Sequence, residues 1–271
     1  LQHVPTKEDI LAAAERIAPF IERTPALDPK PFNQRAGRHC IFKGEHLQQI
    51  GAFKARGAMN AVLVNRDRAL QNGLTTHSSG NHGAALALAA SQIGATAHIV
   101  MPSNAPKAKV EAVKFYGGNV HFCEPNLQAL ESTAEEVIAH TGSMLIHPYD
   151  NYDIIAGQAT ATLELLQDHP DLDFIFVPVG GGGLLSGASL ANKYFGNAQI
   201  IGCEPANASD AYQSFKSKTW RPVSDPNTIA DGLRTSLGTR NFPIILENVS
   251  EVVLVTEEEI ETAWRECLMY T

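Results

Sequence analysis

The 271-residue chain is short of cysteine, short of charge and without a long apolar run. Its four cysteines, Cys40, Cys123, Cys203 and Cys267, form no CxxC pair. That argues against a clustered-thiolate zinc site and is read as reduced thiols in a cytosolic protein. Lys and Arg number 21 against 29 Asp and Glu, a net charge of −8. A general basic surface for phosphate backbones is therefore absent, and no nucleic-acid partner is expected. Charged residues make up 18% and hydrophobic residues 44%, so global disorder is excluded. No apolar run reaches the roughly 18 residues of a membrane span. The opening LQHVPTKEDI has no apolar signal core, so neither a membrane partner nor secretion is expected.

What is present is alternation. Thr6 precedes apolar residues at Ile10, Ala13, Ile17 and Phe20, the pattern of a capped amphipathic helix. A strand is predicted at 39–43 and helical spacing from Phe53 to Val64. Then come helices at 83–93, 107–116 and 127–140, with strands at 97–101, 119–122 and 144–146 between and after them. A second run follows: helix 157–167, strand 174–179, helix 184–194 and strand 199–203. Residues 225–242 read as loop, 251–255 as strand, and Thr256 to Glu259 as a capping box opening a last helix. Two βα arrays predict an α/β fold of two parallel-rich lobes with a cleft between them.

Three segments carry chemistry. Gly180, Gly181, Gly182 and Gly183 lie between an apolar strand and a helix, where backbone N–H groups and the helix dipole favour a phosphate. The G-x-G-x-x-G fingerprint fails in both registers, although Glu204 stands where a ribose-binding acid would, so a dinucleotide is the runner-up. Lys54, in Gly51 to Gly57, opens a helix beside Phe53. A partly desolvated amine there would have a lowered pKa and suit Schiff-base chemistry, whereas a lone lysine is usually a solvated surface residue. Ser78-Ser79-Gly80-Asn81-His82-Gly83 could bind a carboxylate at a helix start, or be a plain N-cap and turn.

As a set, these segments resemble the threonine dehydratase and serine racemase family of fold type II (tryptophan synthase β-like) pyridoxal-phosphate enzymes. Ile154 to Gln158 and Ile229 to Gly232 also look like family segments, and the resemblance covers nearly the whole chain. It implies two three-layer lobes, with 1–70 and 151–271 as the large cofactor-binding domain and 71–150 as a small domain. It implies Lys54 as the cofactor-linked lysine and Cα base, Phe53 beside the cofactor ring, Asn81 on its phenolic oxygen, and Gly180 to Gly183 on its phosphate. Ser78, Ser79, Asn81 and His82 would hold the substrate carboxylate. Ser79, where many threonine dehydratases have Ala, matches serine racemases, in which it is the opposite-face base, and hydroxyaspartate dehydratases. Glu204, Asp210 and the Ala208 carbonyl match a divalent-cation site for Mg, Mn or Ca, with a solvated acidic loop as the plainer alternative.

The resemblance has departures. Ala52 replaces a common serine, and Tyr149 stands where racemases tend to have Asn, which touches substrate range. Family members continue past the last helix to a strand and a turn whose Ser, Thr or Cys meets the pyridine nitrogen. The expectation here is a chain that ends within that helix. The implied activity is α,β-elimination from L-serine or L-threonine in a cytoplasmic homodimer, with serine racemisation or 3-hydroxyaspartate dehydration as close alternatives. A reading from another class is a non-catalytic binding protein, or a fragment with an incomplete cofactor site. An imine absorbance band lost with Lys54 would separate the two.

Overall fold

The structure is a computed structural model that describes residues 1–78, 80–222 and 226–271. In chain order the elements begin with α1 (Lys7–Ile17), β1 (Ala26–Leu27), α2 (Lys30–Ala36), β2 (Phe42–Lys43), α3 (Lys54–Val64) and α4 (Arg66–Asn72). They continue with β3 (Leu74–His77), α5 (Asn81–Ile93), β4 (Ala97–Pro102), α6 (Lys107–Phe115), β5 (Asn119–Cys123), α7 (Leu127–Thr141) and β6 (Met144–Leu145). The remainder is α8 (Tyr152–Asp168), β7 (Phe174–Pro178), α9 (Gly183–Phe195), β8 (Gln199–Pro205), α10 (Asp210–Ser217), α11 (Asn241–Asn248), β9 (Glu251–Val255) and α12 (Glu257–Tyr270).

By packing, the chain forms two compact units: residues 1–22 with 46–158, and residues 23–45 with 159–271. In the first unit, four parallel strands lie in the order β5-β4-β3-β6. Successive side chains of a strand point to opposite faces. Ile99 accordingly joins the core with Leu86, Val110 and Val113 of α5 and α6, while Val100 packs with Ala134 and Val137 of α7. Residues 1–22 and 46–70, expected in the large domain, pack in this unit. Met59 and Val62 of α3 share the main core with α5.

The second unit holds the parallel sheet β7-β8-β9 and the antiparallel pair β1-β2. Val177, Ile200 and Val252 face a core with Leu185 of α9 and Ile245 of α11. Phe174, Phe176 and Leu254 are exposed. Thr6 and Thr256 both close capping boxes, with Asp9 and Glu259 as the reciprocal acceptors.

The structure departs from the expected elements at β1, β3, α4 and α10, which were not expected, and in three further ways. The Pro-rich loop contains α2, with Pro at its first turn, where a missing N–H costs nothing. The helix expected from Gly157 begins at Tyr152, because Asn151 Oδ1 accepts the N–H groups of Asp153 and Ile154. The stretch expected as loop at 225–242 runs into α11, which starts at Asn241.

Candidate active site

In the first unit, α3 crosses the start of α8 with backbone against backbone. A Cβ on Gly57 would lie 2.7 Å from Gln158 Cδ and 2.9 Å from the Ile154 carbonyl. One on Gly157 would lie 2.6 Å from Gly57 Cα. The Gly57 N–H, one of the four that a helix start leaves without intrahelical partners, donates to Gln158 Oε1 at 3.2 Å. This explains the Ile154 to Gln158 segment: its small residue and amide seat the helix that carries Lys54.

The turn before α3 is strained. Ile50 has φ +61°, a conformation that costs a β-branched residue roughly 1–3 kcal/mol. Lys54 follows, with Nζ donating to the Pro148 carbonyl at 3.1 Å. The same nitrogen lies 5.3 Å from the Phe53 ring centre and 5.9 Å from that of Tyr149. Burial lowers its pKa from 10.5 to about 8, so a useful fraction is free amine near neutral pH.

The loop after β3 runs into α5. Ser78 Oγ accepts the Gly80 N–H at 3.2 Å, Asn81 is exposed at the first helical position, and His82 is buried in the first turn. Burial, then the charges of Lys54, His147 and His77, hold the His82 imidazole well below its ordinary pKa, although the Ile146 backbone favours its protonation. Neither ring nitrogen makes a well-formed hydrogen bond among the described residues. Ser79 lies outside the described residues. Two neighbours escaped the sequence reading. The Lys109 amine lies 3.3 Å from where a Gly80 Cβ would stand, yet in sequence Lys109 looks like part of a solvated helix face. His147 packs edge-on between His77 and Tyr149.

In the second unit, Gly180 to Gly183 are buried between β7 and α9. The Gly181 carbonyl accepts from the Gly238 N–H and from Asn241 Nδ2, both at 3.0 Å. The four glycine N–H groups donate no hydrogen bond among the described residues. A Cβ at Gly180 would meet Thr235 Oγ1 at 2.9 Å and Leu233 Cα at 3.0 Å, so the Ile229 to Gly232 segment leads directly to the wall of the loop. Gly182 has φ +92°, and its Cβ would lie 2.8 Å from Leu237 Cδ1. A bare backbone with open donors at a helix N-terminus suits a phosphate.

Glu204 is fully buried at the end of β8. Its Oε1 accepts the Ala211 N–H at 2.8 Å and its Oε2 that of Tyr212 at 2.7 Å. Burial pushes its carboxyl up to about 8 against the pull of those donors. Asp210 Oδ2 accepts the Leu237 N–H at 2.6 Å, and burial raises this carboxyl also. Asp210 Oδ1 is buried without a well-formed hydrogen bond among the described residues, although the neighbouring Glu204 carboxyl acts on this side chain. Ala208 is buried in the short turn just before. Among the described residues no three His, Cys, Asp or Glu side chains could hold a metal, so a cation at Glu204 and Asp210 would need backbone or water oxygens.

A desolvated lysine and an open glycine cradle are the parts that pyridoxal phosphate requires. The model of the pyridoxal-phosphate dependent enzymes matches residues 17–269. The chain belongs to this family. Among relatives of this pyridoxal-phosphate enzyme, serine racemase of Arabidopsis thaliana is 47% identical over 263 residues, 96% of this chain and 80% of the relative. L-threo-3-hydroxyaspartate ammonia-lyase of Saccharomyces cerevisiae is 43% identical, over 95% of this chain and 79% of its own. The solved structure of maize serine racemase superposes with a TM-score of 0.95 at 40% identity, covering 99% of this chain and 82% of that one. No helix among the described residues is long and apolar enough to cross a membrane.

Proposed function

We propose that this pyridoxal-phosphate enzyme converts L-serine or L-threonine to a 2-oxo acid and ammonia by α,β-elimination, the water eliminated being taken up again on hydrolysis, with serine racemisation alongside. Dehydration of 3-hydroxyaspartate is the nearest alternative, favoured by the similarity to the yeast ammonia-lyase. The observation that carries the reading is Lys54, an amine lowered to about 8 and held on the Pro148 carbonyl. The cofactor, when bound, supplies an electron-poor ring that accepts the charge left at Cα.

The chain's own residues divide the remaining work. Lys54 takes the Cα proton. The N–H groups of Gly180 to Gly183 hold the phosphate, with Phe53 and Asn81 toward the ring. Ser78, Ser79, Asn81 and the neutral His82 hold the substrate carboxylate, and Ser79 is the opposite-face base in racemisation. The β-hydroxyl takes up a proton and leaves as water. Hydrolysis of the resulting enamine consumes a water and releases ammonia and the 2-oxo acid. We assign a Mg, Mn or Ca ion to Glu204, Asp210 and the Ala208 carbonyl; the open Asp210 Oδ1 supports this. The working division is 71–150 against 1–70 and 151–271, in a cytoplasmic homodimer whose size light scattering checks.

The test is a panel of L-serine, L-threonine and L-threo-3-hydroxyaspartate, with 2-oxo acid, ammonia and D-serine measured. Lys54→Ala should abolish every product. Full turnover in that variant, or no product from any substrate, would overturn the reading.

A further inference from the structure

His147 follows β6, and its Nδ1 accepts two backbone N–H groups, that of Asp150 at 2.9 Å and that of Tyr149 at 3.3 Å. A nitrogen that accepts carries no proton, so the neutral ring keeps its proton on Nε2. These two bonds close the turn 147–150. The turn holds two of the groups that meet the Lys54 amine, the Pro148 carbonyl and the Tyr149 ring; a third, the Phe53 ring, directly precedes it in the chain. The imidazole is itself fixed edge-on, with ring centres 5.6 Å from His77 and 4.7 Å from Tyr149.

We propose that His147 is a positioning residue for Lys54: its unprotonated Nδ1 holds the Pro148 carbonyl against the amine and so sets how much of that lysine is free base. The proposal deepens the reading of Lys54 as the reactive amine and rests on it. Without the Nδ1 acceptor, two N–H groups lose their partner, the turn opens and the carbonyl leaves Nζ. Loss of that acceptor disfavours the ammonium, and the side chain gains freedom to swing. Protonation of His147 has the same result, because an N–H would then point at two N–H donors. The titratable groups around it are Lys54 on α3, His77 on β3, His82 on α5, and Tyr149 and Asp150 in its own turn; Glu131 of α7 acts on His77. Acidification should therefore weaken the Lys54 clamp through His147.

The experiment compares the wild-type chain with its His147→Asn and His147→Leu variants. Asn offers Oδ1 at the place of Nδ1 and cannot be protonated; Leu offers nothing. Competitive acetylation, read on the Lys54 peptide by mass spectrometry from about pH 5 to about pH 10, gives the titration midpoint of the amine in cofactor-stripped protein. Turnover against pH is measured on the loaded enzyme. We expect His147→Leu to lower the midpoint and cut turnover by about tenfold to a hundredfold. His147→Asn should keep the wild-type midpoint and most of the wild-type turnover. A folded Leu variant with the wild-type midpoint would overturn the proposal. If the Leu variant does not fold, a Lys54 midpoint in the Asn variant that departs from the wild-type value overturns it instead. A midpoint that moves while turnover stays would uphold the clamp and remove Lys54 from the reaction, so the two readings fail separately.

Discussion

Replacing Lys54 with Met should make the cofactor-free protein more stable while ending its catalysis. Burial lowers the Lys54 amine from 10.5 to about 8. At about 1.4 kcal/mol per pH unit, the folded state bears a penalty of about 3 kcal/mol for holding the charge at pH 7. The folded value lies below the unfolded one. The unfolded chain therefore binds the proton more tightly between about pH 8 and 10.5, and stability rises with pH across that window. Below it the penalty is complete; above it the penalty is gone. Met fills similar volume without charge but forfeits the bond to the Pro148 carbonyl, a loss of about 1 kcal/mol. The net gain is about 2 kcal/mol at pH 7, or roughly 4–8 °C in melting midpoint. Paired thermal melts of stripped wild type and Lys54→Met at pH 7 and near pH 10.5 check it. A Met variant no more stable at pH 7, or a gain that does not shrink at high pH, would refute the reasoning.

Three further outcomes are expected. Ser79→Ala should suppress D-serine formation far more than 2-oxo acid formation; equal losses, measured on one enzyme batch, would leave Ser79 a positioning role only. A chelator should lower the melting midpoint and Mg or Mn restore it, since a ligand of the folded state alone stabilises it; Glu204→Gln with Asp210→Asn should make melting insensitive to both. Gly182→Ala places a Cβ at φ +92° and 2.8 Å from Leu237 Cδ1. Overpacking and strain of about 1–3 kcal/mol should distort the cradle, and loss of cofactor on dialysis should quicken about tenfold or more.

The alternating middle of the chain was legible because its punctuation is local. Helices α5 and α7 end at Gly94 and Gly142 in left-handed conformations, and each following strand is short and flanked by turns. Thr6 announced its helix as a cap before an apolar pattern, and Thr256 through the capping-box spacing to Glu259. Helices α4 and α10 were missed because they are short and polar, and much of their stability comes from packing rather than from pattern. The glycine loop and Lys54 were readable as motifs. The His147 clamp was not, because it works through an imidazole bonded to its neighbours' backbone, which no spacing rule flags. The partner of Gly57 was equally hidden: only the folded chain brings Gly157 to it.

At that crossing of α3 and α8 the one amide side chain that holds the Gly57 N–H, Gln158, is itself buried. The Gly57 amide, pointed at Gln158 and walled in by Ile154 and Gly157, can trade its hydrogen for deuterium only when the two helices part. Its exchange rate should thus match that of the slowest-opening amides of the core around Leu86 and Ile99, and rise together with theirs as dilute denaturant is added. Lys54, three residues earlier on the same helix, would then be anchored to the part of its unit expected to open least often.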